Sequence, residues 1–272
     1  MLEPSRRDGT LAKDGPIRQA GRRFHAEAQR LLATAHAHRT RYRLTGLALL
    51  VSSLLGCKTD SGDYYPLQAP RWWYFAVDAT VLDETHHSRY LMQNAGLAPG
   101  MDNTVHLQTA QAGSADYMRR QDGAVVRIAS LRPGMRGPHS DTPPRVMLPA
   151  TLKPGSDWQT QSTLALVESR TFEPRDRIIP RRLPVTLAMR VVGDEATVEV
   201  AAGRFTHCLE IEGHGVAQVP TDRGNGTASV AVEVREWFAP GVGLVKLARS
   251  ETSKSTFLKD GQQHWELLDH GP

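Results

Sequence analysis

Cysteine is nearly absent, with two in 272 residues, Cys57 and Cys208. That density excludes a disulfide-stapled miniprotein. Long apolar runs are missing too. The apolar stretch Leu44–Leu55 has only 12 residues, short of the about 18 that a polytopic helical membrane protein needs in each span. No fixed-period repeat runs along the chain, which removes collagen and coiled coil. The 40% hydrophobic fraction argues against low-complexity disorder. Catalytic signatures are absent as well: there is no Gly-x-Ser-x-Gly elbow, no Ser three residues before a Lys, no His-Glu-x-x-His and no Cys-x-x-Cys. The expectation is therefore a protein that is not an enzyme and carries no cofactor or metal.

The basic charge that is present is unevenly placed. Residues 1–56 hold 10 of the 33 Arg and Lys but only 4 of the 29 Asp and Glu, a net of +6. Residues 57–272 hold the other 23 basic and 25 acidic side chains, a net of −2. The overall excess of +4 thus belongs to the leader. The remainder offers no global attraction for a polyanion, so nucleic acid is not expected as a partner.

Residues 38–43 read His-Arg-Thr-Arg-Tyr-Arg, Leu44–Leu55 carries no charge, and Leu54-Leu55-Gly56-Cys57 follows. A positive flank, an apolar segment and a small residue at the cut make a secretory signal. Twelve helical residues reach roughly 18 Å, short of the ~30 Å hydrocarbon core, so a cleaved signal fits better than an anchor. Leu-Leu-Gly-Cys resembles the lipobox of bacterial lipoproteins. That resemblance implies a diacylglyceryl thioether on Cys57, cleavage after Gly56 and acylation of the new amino group, giving attachment to a membrane. Lys58 replaces the Asp that retains enteric lipoproteins at the inner membrane, which points to the outer membrane, facing the periplasm. The flank before the apolar segment is 43 residues long, with no second Met before Cys57. Either an alternative initiation codon somewhere around residues 20–40 gives it an ordinary length, the favoured reading, or the flank is a real extension.

The mature part divides into a tether at residues 57–65 and a single domain at 66–272. Lys58–Tyr65 spans at most ~28 Å. Strand signals recur at Trp72–Thr80, Arg89–Asn94, Thr104–Thr109, Ala124–Ser130, Thr163–Phe172, Val185–Val192, Thr197–Val200, Phe205–Glu212, Ala228–Phe238 and Gly243–Ser250. Turn pairs Pro99-Gly100, Pro154-Gly155, Asn225-Gly226 and Pro240-Gly241 punctuate them. No amphipathic helix is expected after residue 57. The fold class is all-β, an antiparallel sandwich or a curved open half-barrel, preceded by a helical signal peptide. Alternation places Ala228, Val230, Val232, Val234 and Phe238 on one face. In Phe205–Glu212 it groups Phe205, Leu209 and Ile211 against Thr206, Cys208, Glu210 and Glu212. Arg132–Arg145 holds Pro133, Pro138, Pro143 and Pro144. It reads as an exposed loop, or a link between two halves of the sheet, and not as a central strand.

Val200-Ala-Ala-Gly-Arg-Phe-Thr-His-Cys-Leu-Glu-Ile-Glu212, followed by Glu236-Trp-Phe-Ala-Pro-Gly-Val-Gly-Leu-Val-Lys246, resembles the TapB-like family of bacterial envelope proteins of unknown function. Tyr65-Pro66-Leu67 with Trp73 and Tyr74 resembles that family's opening strand, although Ala69-Pro70-Arg71 stands where the family has a glycine turn. The resemblance implies an envelope β domain and carries no catalytic residues.

Three further features invite a chemical reading. The adjacent pairs His86-His87 and His207-Cys208 would point to opposite faces if extended, so neither pair suits one metal ion. Cys208 would be the free thiol left after acylation of Cys57, expected as a packed side chain. Arg175, Arg177, Arg181 and Arg182 crowd a Pro-rich segment suited to phosphate or carboxylate ligands. Together these observations describe an envelope lipoprotein with a non-catalytic β domain that binds a protein, glycan or lipid, or supports an assembly. A carrier of a hydrophobic ligand in a half-barrel and an envelope hydrolase are the alternatives.

Overall fold

A computed structural model of the chain describes residues 62–110, 113–169, 183–220, 226–256 and 258–272. Cys57, the leader, Asn225 and the four arginines 175, 177, 181 and 182 lie outside these residues. The described strands are β1 (Arg71–Val81), β2 (Glu84–Leu97), β3 (His106–Ala110), β4 (Ser114–Gln121), β5 (Ala124–Leu131), β6 (His139–Leu148), β7 (Asp157–Thr163), β8 (Glu168–Ser169), β9 (Pro184–Val200), β10 (Gly203–Pro220), β11 (Thr227–Ala239), β12 (Gly243–Ser253), β13 (Leu258–Lys259) and β14 (Gly261–Gly271).

Twelve of them form one antiparallel sheet in the order β6-β5-β4-β3-β2-β1-β14-β12-β11-β10-β9-β7. β8 and β13 pair separately. The sheet curls until its two edges meet, where the Thr160 hydroxyl on β7 donates to the Val146 carbonyl on β6 at 2.7 Å. The fold is all-β as expected. Of the two architectures expected, it is the curved sheet, nearly closed into a barrel, and not the sandwich.

The register carries one face around the interior. Val232 on β11 lies beside Glu251 on β12, which lies beside Gly261 on β14. Two levels along, Glu236 leads through Leu247 and Trp265 to Val77 on β1. Apolar packing forms two clusters on this face. One gathers Val185, Leu187, Met189, Val191, Leu209, Ile211, Val230, Val232 and Val234. The other gathers Trp73, Phe75, Val77, Val198, Cys208, Val245 and Leu267, with the Phe75 and Trp265 rings edge to face at 5.5 Å.

Most expected strands are present, with shifted ends. Val185–Val192 and Thr197–Val200 are one strand, β9. The expected strand Thr163–Phe172 is displaced: β7 runs over Asp157–Thr163 and the chain then leaves the ladder. The Pro-rich segment holds a strand after all, since β6 begins at His139. Pro133 and Pro138 precede the strand, and Pro143 and Pro144 fall in a bulge, with Arg127 opposite Arg145 and Ala129 opposite Ser140. These two also lie on an edge strand, where a missing N–H breaks no second ladder. Phe205 is the other correction. His207 has φ +53, and the β9–β10 register slips across Phe205–Ile211. That bulge turns Phe205 to the cluster of Cys208, away from Leu209 and Ile211.

Turn chemistry fixes which strands are neighbours. Leu82 and Asp83 both have positive φ, +53 and +66, and join β1 to β2 as a two-residue hairpin without glycine. Asp122 and Gly123 do the same between β4 and β5, at φ +50 and +81. Pro240-Gly241 turns β11 into β12, as expected. Gly261 is required for a different reason. A Cβ there would sit 2.5 Å from the carbonyl oxygen of Leu166, so only glycine lets β14 approach the segment after β7.

The strand directions give the barrel two distinct ends. One carries the starts of β1, β3, β5, β7 and β12, the turns that precede those of β3, β5, β7 and β12, and the C-terminus. The chain from Gly62 enters here. The other end carries the β1–β2 and β5–β6 turns and the β8–β13 pair.

Candidate functional site

The inner face also carries a belt of polar side chains among the apolar ones. Glu236 from β11 and Arg249 and Glu251 from β12 share the inner face. Gln108 from β3 and Asp116 from β4 are register partners. Arg127 and Arg145 are partners on β5 and β6.

At one end of the belt Glu251 is fully buried. Its carboxylate accepts the backbone N–H groups of Ala165, Leu166 and Val167 at 2.8–3.1 Å. Arg249 closes the pair, with Nη2 at 2.7 Å, and also donates to the Ser162 hydroxyl and the Thr163 carbonyl. A buried charge is tolerable when paired and saturated with donors. This one holds the chain leaving β7 across the barrel, with Leu164, Leu166 and Val167 buried under it.

The chain preceding β1 docks across the entry end. Arg120 donates to the Asp63 carboxylate at 2.6 Å. The Gly241 N–H donates to the Asp63 carbonyl at 2.9 Å, and the Tyr64 hydroxyl donates to the His207 carbonyl at 3.1 Å. The Tyr65 hydroxyl donates to Gln108 Oε1 at 3.1 Å. The Gln108 amide donates to Asn94 Oδ1, and the Asn94 amide donates to the Pro66 carbonyl at 2.8 Å. Leu67 is buried in the first apolar cluster. Burial pushes the Tyr65 phenol well up from its ordinary value, so it stays a neutral donor.

Asp116 and Asp141 are both engaged by arginine. Arg127 grips Asp141 with two nitrogens, at 2.7 and 3.2 Å, and reaches Asp116 at 3.4 Å. Arg132 reaches Asp116 at 2.7 Å. Two other groups are not so served. Among the described residues no hydrogen bond or ion pair reaches the Glu236 carboxylate, and Arg145 Nε is buried without an acceptor. Burial pushes the Glu236 carboxyl up, against the opposing pull of Arg145 and Arg249. Burial, with Arg127 beside it, pulls Arg145 down.

A carboxyl whose pKa is higher folded than unfolded binds more protons in the native state between the two values. Stability then falls as pH rises through that window. Glu236→Gln removes the charge whose burial is unfavourable. The variant is expected to gain on the parent as pH rises from about 4 to neutrality, and to match it near pH 4, where the parent carboxyl is protonated as well. Urea midpoints across that range measure it. Parallel curves for the two proteins would remove Glu236 as the source.

Two clefts open onto these groups. One of about 390 Å³ lies between Asp63–Tyr65, Arg120, Gly123 and the turn at Pro149–Leu152. Another of about 250 Å³ is walled by Tyr90, Met92, Gln108, Ser114, Asp116 and Arg132. Both present mostly hydrogen-bonding groups.

The other residues singled out in the sequence are scattered. His87 bonds Asp78 at 2.7 Å and His86 faces Glu84 at 3.9 Å. His207 bonds Glu195 at 2.6 Å on the exposed side, while Cys208 is buried. Among the described residues no group of three or more His, Cys, Asp or Glu is placed to hold a metal ion. The four clustered arginines have described flanks only, Ser169 and Leu183, at the barrel end away from Gly62. The interior belt itself was not foreseen. Its residues are single polar positions on separate strands, and no local motif joins them.

The class the structure defines is an all-β, nearly closed antiparallel barrel with a charged interior. No family model matches the chain, the TapB-like family included, and no curated protein matches it. Among solved structures, the chain is similar to a protein from Bacteroides fragilis NCTC 9343 described as exported, with a YmcC-like fold. The two are 13% identical over 76% of this chain and 98% of that one, with a TM-score of 0.43. A protein from Parabacteroides distasonis ATCC 8503 described as a lipoprotein is 12% identical over the same shares, with a TM-score of 0.34. Scores of this size carry no functional inference.

Proposed function

We propose that this protein is an envelope lipoprotein, held at the membrane through Cys57, whose β barrel recognises a polar partner or supports an assembly. The lipobox supports the anchor, and the interior supports the role. An apolar carrier needs an unfilled apolar cavity. Here the inner face is packed by its own side chains, by the segment after β7 and by Tyr65–Leu67. The described clefts are walled by Asp63, Arg120, Gln108, Asp116 and Arg132. Such surfaces suit charged or hydrogen-bonding partners.

Native mass spectrometry of the full chain, extracted in mild detergent, tests the reading. The expected mass is the protein plus the acyl groups on Cys57 alone. A second hydrophobic molecule retained at one per chain, and released on unfolding, would return the carrier to first place.

A further inference from the structure

The barrel's two ends differ in a way that bears on its contact with the membrane. From Asp63 onward the chain is fixed to the entry end by the bonds to Arg120, Gly241 and His207. Only five residue steps then separate Cys57 from Gly62, a reach of at most about 18 Å. Lipid on Cys57 therefore holds this end of the barrel, and not the other, beside the bilayer.

The same end also exposes apolar side chains. Six large hydrophobic residues are exposed among those described: Tyr74, Leu97, Met101, Met135, Val192 and Val216. Three of them, Tyr74, Leu97 and Met101, lie on the entry half. Leu97 is 54% exposed and Met101 38%, on the connection from β2 to β3. Within that connection the Met101 N–H donates to the Ala98 carbonyl, and Ala98 and Val105 are buried beneath it. It is also next to the entering chain, since Gly96 approaches Ala69. Asp102 sets how deep the connection can go. Its carboxylate accepts from the Thr104 backbone and hydroxyl, which hold its pKa down. It stays ionised, so the neighbouring apolar side chains stop at the headgroup level.

We propose that the barrel stands end-on against a lipid surface, with Leu97 and Met101 entering the interface and the β5–β6 turn and the flanks of the arginine-rich segment facing away. This rests on the anchoring reading and adds an orientation to it.

The test uses the full acylated chain in phosphatidylethanolamine–phosphatidylglycerol vesicles. An environment-sensitive fluorophore is attached at Met101→Cys or, on the opposite end, at Met135→Cys. Cys208 is buried and Cys57 acylated, so the new thiol takes the label. Leu97→Cys serves as a second site at the entry end. The expected result is a blue shift at 101 and loss of emission with headgroup nitroxide lipids, and neither at 135. Vesicle-bound protein whose label at 101 stays in water, or is quenched less than at 135, overturns the orientation. So does a blue shift at 101 already present in the unacylated Cys57→Ala chain without detergent or vesicles, which would mark contact with a second protein. Failure to float with vesicles would instead overturn the anchoring on which the orientation depends.

Discussion

Replacing Glu251 with alanine is expected to destabilise the barrel by about 3–5 kcal/mol, the usual cost of stripping one partner from a buried ion pair. Three consecutive N–H groups, of Ala165, Leu166 and Val167, would lose their acceptor. Arg249, only 12% exposed, would lose its counter-charge. That cost includes the orphaned donors, each worth ~1–3 kcal/mol where water does not reach it. At 2–4 °C per kcal/mol for a domain of this size, the melting temperature should fall by roughly 6–20 °C. Glu251→Gln keeps one carbonyl acceptor and should lose less. Thermal melts and urea midpoints measure both. An alanine variant within about 1 kcal/mol of the parent would show that the segment after β7 relaxes into other bonds, and that the carboxylate does not hold the barrel closed. Phe75→Ala, on the other cluster, is the reference for a purely apolar loss.

The same residue shows why parts of the fold were legible in the sequence and others were not. β11 reads cleanly because its inward positions, Ala228, Val230, Val232 and Val234, are all apolar and buried. The Pro240-Gly241 turn and the return strand at Gly243 read cleanly for a local reason, since the turn chemistry sits in adjacent residues. β4 and β14 do not read as strands. Their inward positions include Ser114 and Asp116 on one and Gly261 and Gln263 on the other. A period-two pattern needs one face apolar, and a charged interior erases it. β6 was hidden by its prolines, which the edge of the sheet tolerates. Leu82-Asp83 has no glycine and a leucine at a positive-φ position, yet it makes a two-residue hairpin. The belt of Asp116, Arg127, Arg145 and Glu236 is legible only once the register is known. Each is an isolated charge in its own strand, and antiparallel pairing across several strands brings them together.

The largest effect of all is expected at Cys57. Two acyl chains of about 16 carbons, at ~0.8 kcal/mol per buried CH₂, give a membrane affinity on the order of 20 kcal/mol. No surface contact of the barrel approaches that. Cys57→Ala should therefore abolish incorporation of a fatty-acid probe and shift the protein from the membrane to the soluble fraction. The barrel itself should be indifferent, because the docked segment begins at Asp63, beyond the substituted position. Equal urea midpoints for variant and parent would confirm that release reflects the anchor and not unfolding. Two results would contradict the anchoring scheme, and they are distinct. Continued labelling would place the acyl group on another residue. Retention in the membrane without label would mean that Leu44–Leu55, uncleaved, holds the chain instead. In that case the attachment point moves upstream of Gly56, the short reach to the barrel lengthens, and the end-on orientation loses its main constraint.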